Sequence, residues 1–322
     1  MIDEATIRSQ IPLALGKTNF NLGRKYEGKV RDNYILTDRR IIITTDRISA
    51  FDRVLGTIPF KGQVLNQLAD FWFDKTKHIV RNHIIDVPDP NVMVVKECVP
   101  LPVEMVVRGY ITGVTTTSAW YNYQRGVRDF CGIRLPEGMR KNQKFDRPII
   151  TPTTKAGKGE HDRPISGGDA VKEGLISKEL FEQLSEISLK LFDFGSRFVA
   201  KHGLILVDTK YEFGLLDGKL VLMDEIHTPD SSRFWFSDTY DELFAKGEEQ
   251  RELDKEYVRT WFANQGYMGD GTPPKLTNEV MVEAAKRYIE AYEKITGSRF
   301  EITHENVLQR IAKNLRQKGY LQ

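Results

Sequence analysis

Apolar and polar positions alternate with the two-residue period of β-strands in the first third of this 322-residue chain. The polar residues 37–40 lead into the β-branched run 41–45, which predicts a hairpin. Further strands are predicted at 93–95 and 103–107. A helix is predicted at 65–76, so this part of the chain should be mostly antiparallel sheet.

Helical periodicity dominates the second half. Apolar residues recur at alternating spacings of four and three between Leu180 and Phe198, which marks the buried face of a helix. The apolar run 204–207 then predicts a buried strand, and Asp217-Gly218 predicts a hairpin back to a partner strand at 220–223. One more amphipathic helix is predicted around residues 282–292 and should end at the next glycine.

Charge and composition narrow the functional class. The chain has 47 basic and 45 acidic residues, a net charge of +2, which argues against a broad nucleic-acid-binding surface. It contains no run of about 18 apolar residues, so no membrane-spanning helix is predicted. Two cysteines in no metal-like spacing, and no secretory signal at the N-terminus, predict a cytoplasmic protein with reduced thiols.

The strand before the Asp-Gly turn carries three charged residues on one face. Asp208, Lys210 and Glu212 alternate along an otherwise apolar strand, and buried carboxylates are costly unless they are paired or hold a cation. A two-residue turn would pair residue 212 with 223 and leave Asp224 on the opposite face. We predict a bulged hairpin instead, with Glu212 and Asp224 converging on Mg²⁺.

A structural interpretation of the same strand has no metal. Glu212 would then form a salt bridge with Lys210 or with Arg233. Spacing alone does not decide between an ion-paired strand and a cation site, because both neutralise the carboxylates.

Two further segments have the composition of binding loops. Asp230, Ser232 and Arg233 lie in the segment 227–235 and are suited to a ribose, a phosphate or a carboxylate, with an Asx turn as the alternative. Residues 28–31 (Gly-Lys-Val-Arg) form a glycine turn beside basic side chains, which suits nucleotide phosphates, with a plain hairpin turn as the alternative.

An arginine strand and a long loop complete the candidates. Glu104 and Arg108 share one face of the predicted strand, so Arg108 either binds an anion or pairs with Glu104. Residues 136–168 lack periodicity and predict a functional or mobile loop. Its charged part, 151–162, is expected to close over substrate, and His161 is a candidate proton carrier there.

Together these segments resemble the SAICAR synthetase family, which adds aspartate in purine biosynthesis. The matching stretches follow the family's order and are GKVRD (28–32), TDRISAFD (45–52), LPVEMVVRGYITG (101–113), TPTTKAGKGEHD (151–162), LVDTKYEFG (206–214) and DEIHTPDSSRFW (224–235). The family commonly has a serine directly after the glycine that follows the arginine strand. Here residues 114–117 intervene, and Ser118 is the best candidate for that serine.

The resemblance implies an α+β fold of two lobes, ATP-grasp-like and distantly kinase-like, with ATP in the cleft. The β-rich ATP-binding lobe would span 1–105, and a larger substrate- and metal-binding α/β lobe with C-terminal helices would span 106–322. The implied reaction joins L-aspartate to the carboxylate of carboxyaminoimidazole ribonucleotide (CAIR). It would consume ATP, pass through an acyl phosphate and give SAICAR, ADP and phosphate.

By matching position, the resemblance also implies roles for individual residues. ATP would contact Gly28, Lys29, Val30 and Arg31, and Mg²⁺ would be held by Glu212 and Asp224. The residues implied in substrate binding are Arg108, Ser118, Asp208, Asp230, Ser232, Arg233 and Arg259. Lys210 and Asp208 would be catalytic, with Lys210 neutralising phosphate charge or ordering the carboxylates. The alternatives are a kinase-like phosphotransferase and a catalytically silent nucleotide-binding module; no oligomeric state is predicted.

Overall fold

The computed structural model describes residues 2–51, 53–155, 162–253, 255–302 and 306–322. Within these ranges the fold is α+β, with helices packed on antiparallel sheets. The helices are α1 (Glu4–Gln10), α2 (Lys61–Thr76), α3 (Ala119–Tyr123), α4 (Gly167–Lys172), α5 (Lys178–Ala200), α6 (Ser237–Lys246), α7 (Glu256–Asn264), α8 (Asn278–Thr296) and α9 (Val307–Gln317), with a 3-10 turn at Ile11–Leu13. None of the helices in these ranges is long and apolar enough to cross a membrane.

The strands follow in chain order. They are β1 (Arg24–Glu27), β2 (Arg31–Ile35), β3 (Arg39–Thr44), β4 (Arg47–Ala50), β5 (Arg53–Thr57), β6 (Ile84–Asp89), β7 (Val92–Lys96), β8 (Val99–Pro100), β9 (Val103–Ile111), β10 (Asp129–Phe130), β11 (Ile133–Arg134), β12 (Gln143–Ile150), β13 (Thr153–Thr154), β14 (Leu204–Leu216), β15 (Lys219–Met223) and β16 (Ser232–Phe236). Two sheets built from these strands dominate the described part of the chain.

The first sheet has the strand order β1-β2-β3-β7-β6. Its β2–β3 hairpin, with Tyr34 opposite Ile41, confirms the hairpin predicted around residues 37–40. One face buries Tyr34, Ile41 and Val94 against α9, which contributes Ile311 and Leu315. The C-terminal helix therefore covers the sheet made by the N-terminal part of the chain.

Helix α2 confirms the helix predicted at 65–76. Its N-terminus is capped by a residue that is distant in the sequence. Phe60 precedes the helix at φ 67° and provides no side-chain hydrogen bond. Instead, Asp46 Oδ1 accepts the Gly62 N–H at 2.8 Å, where the unpaired N–H groups and dipole of a helix favour a carboxylate. Gly62 is required here because a Cβ would lie 2.4 Å from the Thr44 carbonyl oxygen.

The second sheet is centred on the long strand β14. Its order is β12-β9-β14-β15, with β13 paired to β9 and with β8 and β16 paired to β14. Helix α5 packs on β14 and β9 and confirms the helix predicted between Leu180 and Phe198. Helix α8 is also confirmed, and it ends at Gly297 in the left-handed conformation.

The bulged hairpin predicted after Glu212 is wrong. Glu212 lies opposite Met223 and Leu216 opposite Lys219, with no register shift between β14 and β15. The two turn residues, Asp217 and Gly218, have φ of 52° and 72°. These positive values make a primed two-residue turn, whose twist matches the flanking strands, so an extra residue is unnecessary.

The prediction that residues 136–168 lack regular structure is also wrong. Gln143–Ile150 forms β12, antiparallel to β9, and Thr153–Thr154 forms β13 on the same strand. Most positions of β12 are exposed or half-buried. An edge strand of this kind has little apolar alternation, so the hydrophobic pattern does not reveal it.

Buried charges anchor α9 to the first sheet. Arg310 donates from Nε to Asp89 Oδ2 at 3.0 Å and from Nη2 to Asn91 Oδ1 at 2.5 Å. Asn314 donates to the same Asp89 oxygen at 2.7 Å. Asp89 and Arg310 are both buried, so this is an ion pair removed from solvent.

Replacing Arg310 with Ala should lower the free energy of unfolding by about 3–5 kcal/mol, because the buried Asp89 carboxylate would lose its cationic partner and keep only neutral donors such as Asn314. Urea denaturation of both proteins measures this. The matched control is Arg316→Ala, an exposed arginine of the same helix, which should change stability by less than about 0.5 kcal/mol. Equal losses in the two variants would show that the Arg310 ion pair does not hold the helix.

Candidate functional site

A cavity of about 380 Å³ lies where β9, β14 and the segment 229–233 meet. It collects most of the predicted substrate and catalytic residues, which are Arg108, Ser118, Asp208, Lys210, Asp230, Ser232, Arg233 and Arg259. The other predicted site residues, Gly28, Lys29, Val30, Arg31, Glu212 and Asp224, are not part of the described lining. The structure therefore separates the residues predicted to bind substrate from those predicted to bind phosphate and metal.

Strand register brings the cavity's central charges together. Asp208 lies opposite Arg108 of β9 on one side and opposite Arg233 of β16 on the other. Its Oδ2 accepts from Arg108 Nη1 at 3.1 Å and from Arg233 Nη1 at 2.5 Å. The alternative pairing of Arg108 with Glu104 is not observed: the described carboxylate partner of Arg108 is Asp208.

Two lysines neutralise the next carboxylates along β14. Lys210 Nζ donates to Glu104 Oε1 at 2.9 Å and also to Glu212, and Lys155 donates to the other Glu212 oxygen. Burial opposes ionisation, but the charges of Lys210 and Lys155 hold the pKa of Glu212 well below its usual range. The ion-paired interpretation of Glu212 is therefore seen with Lys210, whereas Arg233 pairs with Asp208 instead.

Asp224 interacts electrostatically with Glu212, although it lies just beyond the paired part of the hairpin. It lies directly after β15 and adopts φ 67°, so this left-handed residue turns the chain as it leaves the hairpin. Arg31 donates to Asp224 at 2.6 Å and lies 2.9 Å from Glu225 Oε1. Burial raises the pKa of Asp224 to about 6. The Arg31 guanidinium lowers this pKa, whereas the nearby Glu212 and Glu225 carboxylates raise it further.

Glu212 and Asp224 could hold a divalent cation only if waters or phosphate oxygens supplied its other ligands. Mg²⁺ is usually held by one or two carboxylates together with waters and phosphate oxygens. No group of three or more His, Cys, Asp or Glu residues suited to a metal occurs in the part of the chain that the structure describes. The donor set therefore suits a phosphate-bound cation better than a cage made by the protein alone.

The glycine turn at 28–31 is a well-anchored hairpin turn. Gly28 N–H donates to the Arg31 carbonyl oxygen at 2.8 Å. Arg47 donates to the carbonyl oxygens of Gly28 at 2.9 Å and Lys29 at 3.0 Å, and Thr45 N–H donates to that of Val30 at 3.0 Å. The turn predicted for phosphates is thus positioned by a buried arginine that sequence reasoning did not single out.

Two donors at the cavity's edge are placed for an anion. Ser118 precedes α3, and its Oγ lies 2.8 Å from Thr115 Oγ1. Arg259 bonds Glu256 through Nη1, while its Nε is buried without a hydrogen-bond partner in the described structure. A buried donor without a partner is costly, so contacts within the described protein alone do not account for the position of Arg259.

Other residues of the site escaped sequence reasoning. Lys155 was within a charged loop but had no assigned role, and it contacts Glu212. Lys61, Lys255 and Tyr288 contact Asp230 from distant parts of the chain, and no local pattern could link them to it. His161 and the rest of 156–161 lie outside the described residues.

Comparisons with known proteins agree on one family. The family model described as SAICAR synthetase matches residues 24–274. The chain is 52% identical over 292 residues to the phosphoribosylaminoimidazole-succinocarboxamide synthase of Legionella pneumophila (strain Paris), covering 90% of this chain and 93% of that protein. It is 48% identical over 321 residues to the chloroplastic protein of that name from Arabidopsis thaliana, covering 97% of this chain and 78% of that protein.

Solved structures give the same result. The SAICAR-synthase from Saccharomyces cerevisiae complexed with SAICAR superposes with a TM-score of 0.78 at 32% identity, covering 90% of this chain and all of that chain (100%). A SAICAR synthetase (Type-2) in complex with ADP superposes with a TM-score of 0.66 at 28% identity, covering 87% of this chain and 100% of that chain.

Gly113→Ala should destabilise the protein by more than the about 1–2 kcal/mol expected for an alanine at positive φ. Gly113 has φ 92°, and an added Cβ would lie 2.4 Å from Ser118 Oγ. The matched control is Gly138→Ala, whose φ is 75° but whose Cβ would have no atom within 4 Å. Urea denaturation compares the two, and equal losses would mean that Ser118 moves aside without cost.

Proposed function

The chain belongs to the SAICAR synthetase family, as the resemblance predicted, and we propose that it performs the family's ligation of CAIR and L-aspartate at the expense of ATP. A ligase of purine biosynthesis is established by the family; the use of ATP, the acyl phosphate and the residue roles are the proposal. Support comes from a solved relative in complex with SAICAR and another in complex with ADP.

The chemistry explains why ATP is needed. A carboxylate is a poor electrophile, because direct attack by an amine would have to expel oxide. Transfer of the γ-phosphoryl group of ATP to the CAIR carboxylate releases ADP and gives an acyl phosphate. The aspartate amine then attacks the acyl carbon, the C–O bond to phosphate breaks, and the amide of SAICAR forms with loss of a proton from nitrogen.

The single observation that carries the proposal is the convergence of three guanidinium groups on one cavity. Arg108, Arg233 and Arg259 all line it, and Asp208 orients the first two through one oxygen. Planar guanidinium groups suit phosphate and carboxylate, the two anionic groups of CAIR. Ser118, Ser232 and Asp230 complete the proposed nucleotide-substrate site, with hydroxyl donors and a carboxylate acceptor.

ATP is proposed to lie beside this cavity, against the turn at 28–31. Glu212 and Asp224 would hold Mg²⁺, which on binding would neutralise phosphate charge. Lys210 lies between Glu104 and Glu212, at the border of the two groups, and is proposed to orient these carboxylates and offset phosphate charge. Asp208 is proposed to hold Arg108 and Arg233 against the nucleotide substrate.

The larger-scale expectations stay predictions. They are the lobes at 1–105 and 106–322, an ATP-grasp-like or kinase-like cleft between them, and closure of the loop 151–162 over the substrates. A cytoplasmic location also stays a prediction, since one relative is named as chloroplastic.

The direct test is release of ADP from purified protein given Mg-ATP and CAIR, with and without L-aspartate. Formation of SAICAR, detected by its mass, together with aspartate-dependent ADP release supports the ligase. If ADP release does not depend on aspartate and the phosphate remains on the product, the kinase-like alternative is favoured. Tight ATP binding without turnover would favour the silent binding module.

Glu212→Gln and Asp224→Asn should each reduce SAICAR formation by about 10²–10³-fold, because a neutral amide holds a cation poorly beside transferring phosphate. Steady-state assays at saturating Mg-ATP measure this. Circular dichroism checks that both variants are folded. Glu242→Gln, an exposed glutamate of α6, is the control and should retain full activity. Activity near the original level in both site variants would remove these carboxylates from the metal site.

Arg259→Gln should raise KM for CAIR by about 10–100-fold, the equivalent of losing one charge-assisted hydrogen bond of about 1.5–3 kcal/mol. KM for ATP should stay the same, because Arg259 lines the substrate cavity rather than the turn at 28–31. Arg125→Gln, an exposed arginine stacked on Tyr121, is the matched control. A rise in KM for ATP alone would show that Arg259 acts on ATP and not on CAIR.

A further inference from the structure

Lys61 is a fully buried lysine that none of the proposed roles uses. It is the first residue of α2, and its relative exposure is 0%. Its Nζ lies 2.8 Å from Asp230 Oδ2 and 5.5 Å from the centre of the Tyr288 ring. Taking an ammonium group out of water costs several kcal/mol even in a relaxed protein interior, so the pairing with Asp230 compensates a large cost.

Asp230 is held from several directions at once. Tyr288 of α8 donates its hydroxyl hydrogen to Asp230 Oδ1 at 2.7 Å, while Lys61 of α2 donates to Oδ2. Lys255 donates to the Asp230 carbonyl oxygen at 3.0 Å. These contacts fix the backbone and both carboxylate oxygens at the wall of the cavity.

Although it is held in place, the Asp230 carboxylate can still accept further hydrogen bonds. An ionised carboxylate offers about four lone-pair positions, and the two protein donors described for Asp230 occupy two of them. Asp230 lines the cavity beside Ser232 and Arg233, so further donors can come from a ligand there. Lys61 is not among the residues that line this cavity, so its hydrogen-bond connection to a ligand there runs through Asp230.

Lys61 also starts from a rigid position. The next residue, Gly62, donates its N–H to Asp46 Oδ1 at 2.8 Å, and the close approach of Thr44 leaves Gly62 no room for a side chain. The backbone from which Lys61 extends is therefore fixed by the start of the helix. Because the Lys61 side chain is also fully buried, it has little room to move its ammonium group away from Asp230.

We propose that Lys61 is a positioning residue for the ligase reaction, holding the Asp230 carboxylate ionised and oriented so that its remaining lone pairs accept hydrogen bonds from the nucleotide substrate's ribose hydroxyl groups. This inference rests on the proposed function, because CAIR is the ribonucleotide proposed to occupy the cavity that Asp230 lines. A neutral or rotated Asp230 would lose that acceptor geometry.

The charges around Asp230 agree with this role. Burial opposes ionisation, but Lys61 and Lys255, with the hydroxyl of Tyr288, hold the pKa of Asp230 below its usual range. Arg31 also faces Asp230, and Glu225 and Arg259 lie near Lys255. Removing the Lys61 charge takes away the largest stabilisation of the ionised form, so the pKa of Asp230 should rise. Substrate binding should then weaken as the pH falls through the raised pKa.

The test compares Lys61→Met, Asp230→Asn and the double variant in full-length protein, with CAIR, L-aspartate and Mg-ATP. Lys61→Met should lower kcat/KM for CAIR by about a hundredfold, the size expected when a binding group is misplaced by about 1 Å. KM for ATP should stay unchanged, and the acid limb of the pH profile should move to higher pH. Because Lys61 acts through Asp230, the double variant should be no less active than Asp230→Asn alone.

Two further variants keep the test decisive. Lys75→Met, the same substitution at an exposed position of α2, should behave as the original protein. Tyr288→Phe removes only a hydroxyl, so it tests the hold on Asp230 even if Lys61→Met does not fold. It should raise KM for CAIR, and this effect should vanish in the Asp230→Asn background.

Three outcomes would overturn the inference: an original pH profile in Lys61→Met, multiplying losses in the double variant, or an unchanged KM for CAIR in Tyr288→Phe. Failure of the proposed function would look different, since the original protein itself would then form no SAICAR.

Discussion

The charged face of β14 is the constraint on which the rest of the site depends. Asp208 and Glu212 are buried in the middle of a sheet, where an unpaired carboxylate would cost several kcal/mol. The sheet meets that cost with nearby cations: Arg108 of β9 and Arg233 of β16 beside Asp208, and Lys210 of β14 itself beside Glu212. Strands β9 and β16 are therefore held in register with β14, because a slip of one residue would take Arg108 or Arg233 away from Asp208.

The same principle extends from the sheet to the surrounding helices. Asp230 joins α2 to α8 through Lys61 and Tyr288, and Asp224 joins β15 to the start of β2 through Arg31. Both carboxylates lie in the short connection between β15 and β16, which also contains the left-handed residues Asp224 and His227. Ion pairs between distant segments thus give an irregular connection a fixed shape, which a site for positioning and charge neutralisation requires.

The local sequence pattern predicts the helices and strands, but it does not predict which distant residues their side chains contact. The β2–β3 hairpin, α5 and α8 have strong periodicity, and the alternation of Asp208, Lys210 and Glu212 correctly predicted a shared charged face. The failures involve information that is not local. Strand β12 is an exposed edge without apolar alternation, and Lys61 lies 169 positions from Asp230 along the chain. A two-residue turn replaced the predicted bulge because Asp217 and Gly218 both adopt positive φ, which closes the hairpin without an extra residue.

The two sequence interpretations of Glu212 turn out to be compatible. Lys210 and Lys155 keep the pKa of Glu212 well below its usual range although burial opposes ionisation, so the carboxylate stays charged near neutral pH. A divalent cation at this position would then compete with lysine ammonium groups and not with a proton. Lys155 directly precedes residues 156–161, so the carboxylate proposed to hold the cation is also a contact point of the loop proposed to cover the substrates. The ion pair that argued for a purely structural strand is therefore compatible with the proposed cation site, because it keeps Glu212 ionised.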